Sequence, residues 1–257
     1  MAVRLSQDLI DTFSGYIERH IMTPFLRTLA LSLMLPLWAA AGHAQAPEAK
    51  SHAGHDHAPK ADMPVPDIDF VFTESPDDHV MGDASAPITI ISYASVTCPH
   101  CSEWFINDWP TLKADHIDTG NIRFVLREFP TAPAQLSLTG FLIANCGPED
   151  GSFDHIEHQM KEQKTIMEEA FTEKAPETYA KLGAMAGMNT FEEMNTCFEK
   201  PDGMARINRS AQRAQAAKIS GVPAFFVNGV QFEKSPTAAN LDAEIKRLNS
   251  SGTSSVR

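Results

Sequence analysis

Two cysteines three positions apart, in the run Cys98-Pro99-His100-Cys101, are the residues of this sequence best suited to chemistry. If the run opens a helix, positions i and i+3 face the same way, so the two sulfurs can bond or part with little movement of the chain. The first sulfur then meets the unpaired N–H groups and the positive dipole end of the helix, which favour a thiolate. Cys101, one turn inside and shielded, suits the resolving role. The pair therefore reads as one exposed, low-pKa nucleophile and one partner that displaces whatever attaches to it. His100 adds a partial or full positive charge and a donor beside the first sulfur, while Pro99 restricts the loop and removes a competing donor. Stabilising the thiolate stabilises the reduced form and makes the disulfide a stronger oxidant. Half a zinc site is one rival reading, but no second pair stands at matching spacing. A purely structural disulfide is the other, and so tight a loop would be strained and reducible.

The flanking elements must hold that run at a helix start. Residues 88–94, Ile-Thr-Ile-Ile-Ser-Tyr-Ala, are a β-branched, largely apolar run of the buried-strand type. It leads straight into the cysteines, and 102–116 reads as the helix that follows. Residues 121–129 read as a second strand, closed by Pro130, giving a β-α-β unit with parallel strands. An apolar helix over 134–146 stops at Gly147-Pro148. Residues 153–200 are mostly helical, with breaks near Pro176 and at 187–189, and 203–220 is a further helix ended by Gly221. Residues 224–228 and 230–232 flank Asn228-Gly229, a hairpin signature. A closing helix over 240–249 and a flexible tail at 251–257 complete the chain.

Composition bounds the function. The chain has 257 residues, 43% hydrophobic and 21% charged, enough for one domain with an inserted subdomain. A formal net charge of −12 argues against nucleic-acid binding and against a polybasic membrane-surface role. Residues 22–46 carry Arg27, a short apolar run at 29–38 and a small-residue cleavage site at Gly42-His43-Ala44 or Ala44-Gln45-Ala46. This is the design of a secretory signal peptide, and the run is short of the roughly 20 apolar residues that span a bilayer. Residues 1–21 place Asp8, Asp11 and Glu18 where positive charge is wanted, so translation is expected to begin at Met22. Export would put the four cysteines in an oxidising space, where disulfides persist. Residues 47–67, rich in Ala, Pro, His and Lys, read as a disordered linker. His52, His55 and His57 within it read as a polar tether rather than a copper site, because a flexible segment fixes no coordination geometry.

At these residues the sequence resembles the DsbA family of bacterial periplasmic thiol–disulfide oxidoreductases, within the thioredoxin-like superfamily. Cys98-Pro99-His100-Cys101 is the tetrapeptide typical of that family, and the run from Ser220 through Val222-Pro223 to Asn228-Gly229 resembles its second signature. The likeness covers about residues 80–248. It implies an α/β, thioredoxin-like fold over 68–250 with a helical domain inserted at about 134–202. It also implies that Pro223 is a cis-proline packed against the active-site disulfide. The backbone of Val222 would then be free to pair with a substrate chain like an added strand. The implied activity is a periplasmic dithiol oxidase, with no cofactor and no metal. Its implied partners are reduced exported proteins and a membrane re-oxidising partner of DsbB type, and the chain is expected to be a monomer. One departure stands out: many thioredoxin-like proteins carry a buried acid in the strand before the cysteines, and here Ser92 occupies that place.

Cys146 and Cys197 both fall in the implied helical insertion. In an oxidising compartment they most simply form a structural disulfide, as some relatives of alphaproteobacterial type also resemble. Closing a loop of about 50 residues would contribute roughly 2–4 kcal/mol. Two inert thiols, or a second redox pair, are the alternatives. Trp104, Trp109, Phe141 and Met160, Met167, Met185, Met188 and Met194 read as core more readily than as a substrate groove. His155 and His158 read as solvated residues of a helix face rather than metal ligands. Two other functions remain: an isomerase or reductase linked to copper stress, weakened by the lack of heptads in 47–67, and a surface-associated binding module that merely retains the redox fold.

Overall fold

The run 88–94 builds the central strand of a five-stranded sheet. In the computed structural model, which describes residues 71–251, the strands are β1 (His79–Met81), β2 (Ile88–Ala94), β3 (Ile122–Glu128), β4 (Ala224–Val227) and β5 (Val230–Gln231). Their order is β1-β3-β2-β4-β5. β2 runs parallel to β3 from Ile88 opposite Ile122 to Ala94 opposite Glu128, and antiparallel to β4 with Tyr93 opposite Ala224. Both faces of β2 and β3 are covered, so β2 is largely apolar instead of alternating, while β3 interrupts its apolar residues with Arg123, Arg127 and Glu128. The expected extension 1–21, signal 22–46, linker 47–67 with its histidines, and residues 252–257 of the tail lie outside the described residues.

One face, carrying Ile88, Ile90, Ala94, Ile122, Phe124 and Leu126, packs against aromatic residues of the helices, among them Trp104, Trp109, Phe141 and Phe153. The opposite face carries Ile91, Tyr93 and Val125 against Ala214 and Phe226. It also buries charge: Arg127 donates to both carboxylate oxygens of Asp78 at 2.9 Å and to the Tyr93 hydroxyl at 3.0 Å. Removing either partner of such a pair would strand the other in the interior.

The helix expected over 102–116 is three pieces. α1 (Pro99–Asn107) begins at Pro99, α2 (Trp109–Leu112) follows Asp108, and Lys113–Ile117 is a π-helical turn. The break falls where Pro110 has no N–H to donate. Asp108, freed at the break, accepts the N–H of Ala238 at 2.7 Å and so anchors the closing helix. The helical block comprises α3 (Ala134–Cys146), α4 (Ser152–Lys161), α5 (Gln163–Glu169), α6 (Ala175–Met185) and α7 (Phe191–Phe198). Its breaks near Pro176 and 187–189 are as expected, and a further one falls at Glu162. Thr190 and Glu193 close α7 with a reciprocal capping box. α8 (Pro201–Ala216) is displaced toward the N-terminus of the expected 203–220, ending where Lys218 turns to φ +56°. Asn228 and Gly229 both take positive φ, 47° and 80°, as the two-residue hairpin requires. α9 (Ala238–Ser251) includes Ser251, so the helix extends into the expected tail.

Ile143, Tyr179, Leu182, Met188 and Met194 form a second apolar cluster between the inserted helices. Cys146 of α3 and Cys197 of α7 are joined in a disulfide beside it, with Cα atoms 6.0 Å apart.

Candidate active site

β2 ends at Ala94, and the three residues after it deliver Cys98 to the N-cap of α1 in an extended conformation. Pro99 takes the first helical position, where a missing N–H costs nothing. The Cys98 carbonyl accepts the N–H groups of Cys101 and Ser102, each at 3.1 Å, which closes the first turn. Both cysteines are free thiols. Cys101 is completely buried. Cys98, expected from the sequence to be exposed, is only 8% exposed. The reason is tertiary: the chain entering β4 lies over it, and the Cys98 thiol donates to the Val222 carbonyl at 3.4 Å.

The two thiols are driven apart in acidity. Cys98 is lowered from 9.0 to about 6. The hydrogen bond from the Cys101 thiol is the largest cause, burial opposes it, and the backbone N–H groups of Cys101 and His100 follow. The charge of His100 contributes least. Its side chain points into solvent, 81% exposed, with Nδ1 3.7 Å from a Glu103 carboxylate oxygen. From the sequence the helix amides lead and the charge of His100 adds to them; in the structure the Cys101 thiol leads, and His100 acts more through its backbone N–H than through its charge. Burial pushes the Cys101 thiol strongly up, and its contact with Cys98 adds to this.

Antiparallel pairing sets the rest of the site. With Ala224 opposite Tyr93, the residues just before β4 fall beside the end of β2. Val222–Pro223 is a cis peptide, as is Ala132–Pro133 in the loop after β3.

Several polar groups around the loop have no signature in the sequence. Ser95 Oγ lies 3.2 Å from Thr97 Oγ1 and 3.1 Å from Ser137 Oγ, and Thr131 Oγ1 approaches Ser95 Oγ at 2.9 Å and Thr97 Oγ1 at 2.8 Å. This hydroxyl cluster ties the cysteine loop to the start of α3. Gln163 of α5 donates to the carbonyls of Val96 and Cys98. Ser92, in the place of the family's buried acid, is itself buried, and its hydroxyl has no hydrogen-bond partner among the described residues. A buried acid occurs instead at the end of β3: Glu128 lies 3.0 Å from His79 Nε2 and accepts from Asn145 at 2.8 Å.

Other candidates resolve into structure. His155, read as solvated, is 4% exposed, with Nε2 2.8 Å from the Leu182 carbonyl and Nδ1 2.9 Å from Gln159. Burial lowers its pKa. Trp104, Trp109, Phe141, Met160, Met188 and Met194 are core, whereas Met185 is 48% exposed. Among the described residues no group of three or more His, Cys, Asp or Glu is placed to hold a metal ion, and no helix is long and apolar enough to cross a membrane.

A parallel β-α-β unit, a cysteine pair at its helix start, a cis Val222–Pro223 peptide whose carbonyl meets Cys98 and a helical block between the two halves define a thioredoxin-like domain with a DsbA-type fold. The chain belongs to the thioredoxin family, whose model (Thioredoxin_4) matches residues 74–247. It is 29% identical over 180 residues to a Rickettsia prowazekii protein named "Putative protein-disulfide oxidoreductase", covering 70% of this chain and 64% of that one. A protein of the same name from Rickettsia typhi is 31% identical over 61% of this chain and 56% of its own length. The chain thus spans under two thirds of these relatives. Among solved structures, Wolbachia pipientis alpha-DsbA1 superposes with a TM-score of 0.60 at 22% identity, over 70% of this chain and 95% of that one. BdbD from Bacillus subtilis gives 0.53 at 19% identity, over 66% and 92%. At these identities the structures establish likeness of fold.

Proposed function

We propose that this chain is a periplasmic dithiol oxidase that introduces disulfides into exported proteins through Cys98 and Cys101. The observation that carries the reading is the placement of the two thiols, Cys98 at the N-cap of α1 and Cys101 completely buried one turn on, which holds Cys98 near 6 while Cys101 keeps its proton. In the oxidised form, a substrate thiolate attacks Cys98 Sγ and breaks the Cys98–Cys101 bond. Cys101 leaves as a thiolate and takes up a proton, as its burial demands. The substrate's second thiolate then attacks its own sulfur in the mixed disulfide and expels Cys98, which leaves readily as a stabilised anion. Two electrons pass from the substrate dithiol to the enzyme. The names borne by the Rickettsia relatives support this class of activity.

Pro99 and His100 serve the same site, Pro99 by fixing the first turn and His100 mainly through its backbone N–H. The Val222 carbonyl beside the sulfur, next to Pro223, is where an extended substrate segment would pair. Cys146–Cys197 acts as a structural disulfide. A monomer re-oxidised by a DsbB-type membrane partner completes the proposal.

The test is oxidation of a reduced two-cysteine peptide by the purified protein, with Cys98→Ser as control. Loss of activity in the variant is expected; activity that survives it would overturn the assignment. Equilibration with glutathione separates the modes: an oxidase lies near about −120 mV, a reductase near about −270 mV.

A further inference from the structure

Gln163 opens α5 and is 6% exposed. It spends both hydrogens of its side-chain amide on the cysteine loop, donating to the Val96 carbonyl at 2.9 Å and to the Cys98 carbonyl at 3.0 Å. The Cys98 carbonyl therefore takes three donors, since the N–H groups of Cys101 and Ser102 already point to it. A carbonyl oxygen has two lone pairs, so the third donor is not needed to satisfy the helix.

Its effect lies on the loop. The two carbonyls belong to the Val96–Thr97 and Cys98–Pro99 peptides, and an amide that grips both fixes the peptide planes on either side of the Thr97-Cys98 pair. Cys98 is thereby held extended at φ −86° and ψ 117°, the conformation from which an N-cap side chain faces the first N–H groups of its helix. The N–H groups of His100 and Cys101 help hold the Cys98 thiol below its ordinary value, although neither closes a cap hydrogen bond to the sulfur. The clamp also offsets the partial negative charge of an oxygen that belongs to the same residue as the sulfur. Neutral apolar packing would join the helices to the loop equally well, but would do neither of these things.

We infer that Gln163 is a positioning residue for the nucleophile: acting through the loop backbone, it holds Cys98 where the helix amides stabilise its thiolate. The inserted helices thus tune the reactive sulfur as well as flank it. This rests on the reading of Cys98 as nucleophile.

The experiment measures the pH dependence of Cys98 alkylation, and the equilibrium with glutathione, for the full chain and for Gln163→Leu and Gln163→Glu. Leucine keeps the bulk and removes both donors. Its alkylation midpoint is expected to rise by about one pH unit, and its disulfide to become about tenfold less oxidising. Glutamic acid offers one O–H donor when protonated and none when ionised. Gln163→Glu should therefore approach the parent's reactivity at low pH and depart from it as its carboxyl ionises, a split that a mere strut would not produce. If both variants keep the parent's midpoint and equilibrium, whatever their melting temperatures, the inference fails. If Gln163→Leu does not fold, the pH split of Gln163→Glu decides alone. A parent midpoint at the ordinary value of about 8.5 would instead sink the nucleophile reading, and this inference with it.

Discussion

The Cys98 sulfur and the Val222 carbonyl oxygen face each other at 3.4 Å across the gap between α1 and the start of β4. Only the neutral thiol can donate across that gap; once ionised, the sulfur meets a second acceptor, and the contact opposes the charge. The anion at Cys98 is therefore sustained by Cys101 and the helix amides against both burial and this neighbour. A bound chain whose N–H takes the Val222 carbonyl would relieve the opposition.

Alkylation of the reduced protein by iodoacetamide should follow a single titration at Cys98 with a midpoint near 6. Cys101 should stay unmodified throughout. Because the Cys101 thiol is the largest stabiliser of the anion, Cys101→Ala should move the midpoint back toward the ordinary thiol value.

The same displacement makes the stability of the reduced protein depend on pH. A Cys98 that ionises near 6 when folded and near 9 when unfolded binds fewer protons in the folded state between those values. Reduced-state stability attributable to it should thus rise from pH 6 to 9, and be lost as pH falls through 6. Denaturant titrations across that window should show a gain on the order of a few kcal/mol relative to Cys98→Ser. A flat difference would contradict the lowered pKa.

Cys101→Ser should accumulate a mixed disulfide, since Cys98 can still attack a disulfide but nothing remains to evict the adduct. Non-reducing electrophoresis after incubation with a disulfide-bonded peptide should show a band that reductant removes. The double variant with Cys98→Ser should show none.

Replacing Cys146 and Cys197 together by serine should destabilise the folded chain by about 2–4 kcal/mol, given their separation of 51 residues. Peptide oxidation at Cys98 should survive in the fraction that remains folded. A shift in the denaturant midpoint without loss of oxidation is the expected result.

Gly140 lets α3 come close to the cysteine loop. A Cβ there would stand 2.8 Å from a Val96 methyl and would collide with the Gln159 side chain. Gly140→Ala should cost roughly 1–3 kcal/mol by overpacking, more than its helix propensity would return. Thermal unfolding measures it, and a neutral result would mean that the loop gives way.

The tetrapeptide, the β-branched strand before it, the Asn-Gly hairpin and the apolar helix over 134–146 were legible in the chain because each depends on neighbours in sequence. Periodicity, capping and turn chemistry act over a few residues, and they suffice to put Cys98 at a helix start. Other features came only with the packed structure. The cover that Val222 lays over Cys98, the primacy of Cys101 over His100, the buried His155, the hydroxyl cluster and the Gln163 clamp join residues 27 to 124 positions apart, or depend on which way a side chain turns. Local sequence could supply two sulfurs one helical turn apart. How readily the first loses its proton depends on which groups the folded chain presses against it.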